Sequence, residues 1–397
     1  MTTLDNFRQE VRTWLEANCP ESQRQPIIKE EQIWGGRRRQ FANADAKLWF
    51  ERMRDKGWTA PDWPAQYGGG GLSTAEARVL EQEMRALGCR PPLYDLGLWM
   101  FGPALLEYGS EQQKQEHIPK IVRGEIRWSQ GYSEPGAGSD LASLKTRAED
   151  MGDHFLVNGS KIWTTQADKS DWIFCLVRTD PAAPKQEGIS FLLIDMASEG
   201  VSTVPIALIS GESEFCQTFF QDVRVPKDNL VGELNNGWSI AKSLLKHERK
   251  LMSVMESMVE KEDETIVELA KRYVGIDGTG KLRDNELRTR LTRHLMSSQA
   301  NEWSSYRLFE QHSQGFKDSG LPLTMKHMIT AELQRKDELM LAILGNRSLS
   351  WHDTEYSQKE QRIVKNWAYN KSQTIAGGTS EIQLNIIAKR ALGLPNH

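Results

Sequence analysis

Residues 375–395 read IAGGTSEIQLNIIAKRALGLP. Two glycines free the backbone for close approach to a ligand, and Thr379 or Ser380 then offers a helix N-cap. A glycine turn feeding a helix start leaves N–H groups unpaired, which suits an anion or a cofactor and equally suits a plain turn. A second such segment is Ser133–Asp140, SEPGAGSD. Here Gly136 and Gly138 let the backbone pass close to a flat or anionic group, and Ser133 and Ser139 supply hydroxyls; an interdomain turn has the same make-up. Further on, Trp163 stands beside Thr164 and Thr165. An aromatic plane next to hydroxyls can wall a ring and bond its edge, or it can simply fill core.

A proton-transfer group is suggested by position alone. From Trp238 onward Ala241, Leu244, Leu245, Leu251, Met252, Met255 and Val259 form an apolar helical stripe, and Glu248 lies within it. Lys242, Lys246, Arg249 and Lys250 fall outside. A carboxylate on a core-facing stripe is costly unless paired or functional, and partial burial raises its pKa toward that of a general base. The alternative is a buried salt bridge to Arg249 or another cation.

Other chemistries are excluded. Gly275–Leu282, GIDGTGKL, nearly spells a P-loop, but Leu282 stands where Ser or Thr must hold magnesium. There is no HExxH and no EF-hand loop, and the histidines lack ligand spacing, so no metal is expected. The net charge of −4 offers no field for nucleic acid. Four scattered cysteines without CxxC argue for a reducing compartment. No apolar run approaches a membrane span, and MTTLDNFRQEVRTWL reads as an amphipathic helix rather than a signal peptide. A cytoplasmic protein is expected.

The elements that must position these residues fall into three blocks, and 397 residues have room for them. Helical spacing runs to about Gly124, broken by the loop PDWPAQYGGGGLS with Ser73 placed to cap the next helix. Strands follow to about Val231: HFLVNGSKIWTT, predicted as a hairpin turning at Asn158-Gly159, then DWIFCLVRT, GISFLLIDM and TFFQDVRVP. Long helices return, approximately Trp238–Tyr273, Asn285–Gln314, Leu323–Gly345 and Gln361–Gln373. The class is α+β, with domains at 1–124, 125–235 and 236–397.

Five segments, PDWPAQYGGGGLS, SEPGAGSDLASLKT, VNGSKIWTTQA, FFQDVRVP and IAGGTSEIQLNIIAKRALGLP, together resemble the acyl-CoA dehydrogenase family across essentially the whole chain. The resemblance implies an N-terminal α-helical domain, a central β-barrel domain and a C-terminal four-helix bundle. It implies FAD, an acyl-CoA substrate dehydrogenated at Cα–Cβ, reoxidation by an electron-transfer flavoprotein, and a homodimer or homotetramer. By position, Gln130, Tyr132 and Ser133 would lie along the isoalloxazine, Gly138 and Ser139 near the cofactor, and Ser139 also near the CoA pantetheine. Trp163 would pack on the flavin, Thr165 reach its N5 region, and Thr379 and Glu381 contact it elsewhere.

Such a reaction takes an α-proton to a base and passes the β-hydrogen to flavin as hydride. Many relatives carry a glutamate just before the Gly-Thr pair; here that residue is Gly377. GWSIAKSLLKHERK resembles the helix on which a smaller subgroup carries its catalytic glutamate, which puts the base at Glu248 and the arginine that follows it at Arg249. Gly377 would then contribute its N–H to the thioester carbonyl. An oxygen-using oxidase or monooxygenase and a base-deficient subunit of a hetero-oligomer are the rival readings. The family's Arg-x-Thr-Phe-Gly turn is replaced by YVGIDGTGKLRD, with Arg283 or Arg288 as substitutes for its arginine.

Overall fold

The computed structural model describes residues 3–25, 29–244, 264–313, 320–352 and 354–395. They form two compact units, Met1–Ile206 with Glu214–Glu260, and Ala207–Ser213 with Lys261–His397.

The first unit begins with five helices: α1 (Thr3–Asn18), α2 (Ala44–Asp55), α3 (Thr74–Ala86), α4 (Gly102–Tyr108) and α5 (Glu111–Val122). Their starts are written in the sequence. Ser73 with Glu76 and Ser110 with Gln113 close reciprocal capping boxes, and the Asn43 side chain accepts from the Ala46 N–H. Val11, Leu15, Trp49, Met53 and Leu80 seal α1, α2 and α3 together, each contributing roughly 1.5–3 kcal/mol of burial. A larger core joins these helices to the sheet, with Phe101 stacked on Phe174 and Phe191.

Eight strands follow: β1 (Trp128–Gly131), β2 (Arg147–Asp150), β3 (His154–Thr165), β4 (Trp172–Arg178), β5 (Ile189–Asp195), β6 (Val201–Ile206), β7 (Phe215–Pro226) and β8 (Leu230–Val231). The expected β-barrel is not formed. The sheet is mixed and open, in the order β6-β7-β3-β2-β4-β5-β8, with β1 pairing parallel to β4. Closure needs edge strands long enough to pair in a fixed stagger. At one edge β8 has two residues, and at the other β6 carries Pro205, which has no N–H to give. The middle is equally narrow, since β2 meets β4 only at Arg147 and Arg178.

Asn158-Gly159 is not a turn either. β3 continues through it, with a register shift against β7 between Val157 and Gly159, and the hairpin reverses at 151–153, where Gly152 has φ +93°. Gly159 serves proximity: a Cβ there would lie 2.7 Å from the Thr146 Cα. Asn158 instead donates to Asp222 on β7.

A further helix, α6, starts at residue 237 and is described to 244. Ile240, Ala241 and Leu244 are buried in the first unit's core while Lys242 is exposed, so the apolar stripe begins as the spacing predicts. The expectation of one helix from Trp238 to Tyr273 fails at Thr265. That residue is an extended N-cap whose hydroxyl and Glu268 form a capping box, so a new helix starts there.

The second unit holds α7 (Ile266–Tyr273), α8 (Asn285–Ser313), α9 (Leu321–Leu344), α10 (Gln358–Asn370) and α11 (Ser380–Ile386). α7, α8, α10 and α11 all pack on α9, around Leu269, Leu291, Leu339, Ile343 and Ile363. Among the described residues no helix is long and apolar enough to cross a membrane.

Candidate active site

In the first unit the SEPGAGSD turn is tied to β3 from beneath. The Ser133 carbonyl accepts from the Ile162 N–H at 2.8 Å, and Glu134 and Ala137 exchange backbone bonds at 3.1 and 3.0 Å. Below the turn lies an ion pair that sequence reasoning missed: Lys161 Nζ stands 2.7 Å from Glu134 Oε1, with Lys161 fully buried. The same carboxylate accepts from the N–H groups of Lys145 and Thr146 at 2.7 and 2.8 Å. Burial pushes the Glu134 pKa up, but Lys161 and these donors outweigh it and hold the carboxyl below its usual range. The signal was available, because Lys161 keeps the buried phase of Phe155 and Val157 along β3.

The turn's outer side is open. A Cβ added at Gly136 or Gly138 would meet nothing within 4 Å, and Ser139 is exposed. Ser133 and Gln130 are half-buried. Tyr132 is buried, its ring edge-on to Phe174 and Phe191.

Trp163 sits where β3 shifts register against β7 between Lys161 and Thr164. Those two neighbours point inward, fully buried, and Trp163 is turned outward at φ +60° with 53% of it exposed. A bulky residue in left-handed conformation is strained, and such strain gathers at functional sites. Phe215 braces the indole edge-on at 6.2 Å, and Thr165, half-buried, pairs with Phe215. An exposed aromatic face next to half-buried hydroxyls and an open glycine turn fits a flat, hydrogen-bonding ring.

In the second unit, Gly377 and Gly378 have φ +64° and +97°. Nothing lies within 4 Å of a Cβ placed on Gly377, and among the described residues no acceptor takes its N–H. The Thr379 hydroxyl caps α11 by accepting from the Ile382 N–H at 3.3 Å. Glu381 is exposed, and its own N–H and Thr379 hold its carboxyl below the usual range. α11 is only seven residues long before it opens into a π-helical turn, Ile387–Ala391. Arg283 is engaged in its own loop, donating from Nε to the Ile276 carbonyl at 3.0 Å. Glu248 and Arg249 lie outside the described residues.

Comparison with known proteins agrees with this geometry. The acyl-CoA dehydrogenase N-terminal, middle and C-terminal domain models match residues 2–125, 129–223 and 235–392. Acyl-CoA dehydrogenase IpdE1 of Mycobacterium tuberculosis is 34% identical over 396 residues, covering 100% of this chain and 99% of its own. This chain belongs to the acyl-CoA dehydrogenase family. Among solved structures, the Tcur3481-Tcur3483 steroid ACAD superimposes with a TM-score of 0.72 at 28% identity, covering 99% of this chain and 98% of that one. The ChsE4-ChsE5 complex from Mycobacterium tuberculosis gives 0.70 at 27% identity, covering 100% and 99%. As an acyl-CoA dehydrogenase the protein is an FAD-dependent oxidoreductase acting on an acyl-CoA thioester. A flat isoalloxazine ring is chemically compatible with the exposed indole of Trp163 beside the half-buried Ser133 and Thr165 hydroxyls.

Proposed function

We propose that this enzyme takes the α-proton with Glu248, binds the thioester carbonyl through the Gly377 N–H, and yields the trans-2-enoyl-CoA. One observation carries this reading. The C-terminal loop has no side chain at Gly377, and its N–H there has no partner among the described residues, so the loop can bind an oxygen but cannot remove a proton. The base must therefore come from another element. By sequence spacing Glu248 is the carboxylate that continues the stripe of Ala241 and Leu244, and those two residues are buried. FAD, when bound, supplies the two-electron acceptor. In the first unit Gln130, Tyr132, Ser133, Gly138, Ser139, Trp163 and Thr165 are the residues proposed to contact it, and in the second unit Thr379 and Glu381 are proposed as contacts of their own. Ser139 and Arg249 serve the CoA ester, Arg249 being the residue that follows Glu248 in the sequence.

The proposed electron acceptor is an electron-transfer flavoprotein, and the proposed assembly is a homodimer or homotetramer. Two of the similar solved structures are, by their names, two-protein assemblies, which makes a paired second chain the alternative assembly. One of them is named a steroid enzyme, and a bulky ring-bearing acyl group is the substrate class we favour.

Glu248→Gln tests the base. Anaerobic mixing with a panel of butyryl-, isovaleryl-, octanoyl- and steroid-side-chain CoA thioesters should bleach the wild-type flavin. In the variant, bleaching and α-proton exchange in D2O should fall at least about 100-fold, with flavin content unchanged. Near-normal bleaching in Glu248→Gln removes the assignment. Failure of every thioester to bleach the wild type favours a non-catalytic subunit instead.

A further inference from the structure

The loop that carries Gly377 is held from α9. Lys326 Nζ donates to the Gly378 carbonyl at 2.7 Å. Two turns along the same helix, Gln334 Nε2 donates to Thr374 Oγ1 at 3.0 Å. From α11, Gln383 Nε2 reaches the Gly377 carbonyl at 3.2 Å. Within the loop, the Ser372 carbonyl accepts from the N–H groups of Ile375 and Ala376 at 2.9 and 2.8 Å. Both glycine carbonyls are thus drawn to side-chain donors, while the N–H between Ala376 and Gly377 is left without an acceptor among the described residues.

Lys326 is an unusual choice for such a task. It is half-buried, and among the described residues no carboxylate lies within salt-bridge distance of it. A cation in that position is costly unless it is used, and its acceptor here is a main-chain oxygen. Burial moves its pKa below that of an ordinary lysine. Two consecutive glycines in left-handed conformation have little stiffness of their own, so the direction of each peptide plane depends on what grips it.

We propose that Lys326 is a positioning residue for the dehydrogenation, fixing the Gly377–Gly378 backbone so that the Gly377 N–H faces the thioester oxygen. This rests on the reading of that N–H as the carbonyl donor. An oxyanion donor works because it is held in place before charge develops, and a misplacement of about 1 Å can lower a rate about 100-fold. Lys326 touches neither substrate nor flavin in this account; it acts through the loop.

The test uses the FAD-loaded enzyme and two ligands, the acyl-CoA from the panel that bleaches wild type fastest and its thioether analogue, with CH2 in place of the carbonyl. Wild type should prefer the thioester in calorimetric titration. Lys326→Met should lower that preference about 10-fold and kcat about 10- to 100-fold, with KM moving less than about 3-fold. Lys326→Arg, which keeps a charged donor, should restore most of the preference. Flavin content and melting temperature report on folding; should the Met variant not load flavin, Lys326→Gln replaces it and should fall between Arg and wild type on one side and complete loss on the other. A Met or Gln variant that keeps the full wild-type preference makes Lys326 a structural residue and overturns the proposal. A wild type with no preference overturns the Gly377 donor itself, and that outcome is read before any variant is made.

Discussion

Asp95 should weaken the native state at neutral pH, and replacing it with asparagine should strengthen it. The carboxyl is fully buried between Gly35 and Gly97, and its Oδ1 accepts from the Gly97 N–H at 2.5 Å. Burial drives its pKa up to about 8 from 3.8, against the opposing pull of the Gly97 N–H and Arg127. The folded protein therefore retains a proton that the unfolded chain releases. Stability from this group is intact below about pH 3.8, falls as pH rises, and levels off above about 8. Between 3.8 and 7 lie 3.2 pH units, which at 1.36 kcal/mol each amount to about 4 kcal/mol. Asp95→Asn keeps the acceptor for Gly97 and brings an amide toward the Gly124 and Ile126 carbonyls, which face the same point beside Gly35 as Oδ2. Melting of wild type and variant should be followed from pH 4 to 9. The variant's advantage should be near zero at pH 4, reach about 4 kcal/mol at pH 7, and level off at about 5–6 kcal/mol above pH 8. An advantage independent of pH would refute the assignment of a buried, proton-holding Asp95.

Two further perturbations probe the same unit. His117 is packed edge-on between Trp128 and Trp172, and burial lowers its pKa to about 4. The folded state favours the neutral ring, so stability should drop as pH falls from 6.5 toward 4, by about 3 kcal/mol, and His117→Phe should flatten that slope in the same melts. Lys161→Met would leave Glu134 buried and unpaired, with an expected loss of about 3–5 kcal/mol in denaturant titration and release of FAD on gel filtration. A variant as stable as wild type would mean that the ion pair does not hold the turn.

What the sequence made legible follows from how strongly each segment is constrained. β4 and β5 were found because continuous apolar runs are buried on both sides of the sheet, and β7 because buried residues alternate with more exposed ones along it. β6 and β8 were missed because the first is mostly polar or half-exposed and the second is two residues long. Asn-Gly at 158–159 carried the composition of a turn, but Gly159 answers to the Thr146 backbone across the sheet, a contact that no local pattern encodes. The closed barrel came from resemblance alone, and the short β8 and the proline in β6 leave the sheet open. The break at Thr265 was legible and was overlooked, since Thr265 and Glu268 spell a capping box. Of the site, the glycine turns and Trp163 were visible as residue types; Lys326 was not, because its partner is a backbone carbonyl 52 residues away.

Trp163 and Lys161 stand two positions apart on one strand, one facing out and the other buried against Glu134. The proposed wall for the flavin and the anchor of the turn beside it are therefore opposite faces of a single strip of sheet. Their relative placement is set by the strand itself. On the proposed reading, flavin capture on this side would need little ordering of the backbone, because the entropy that a flexible loop would surrender on binding has already been spent in folding.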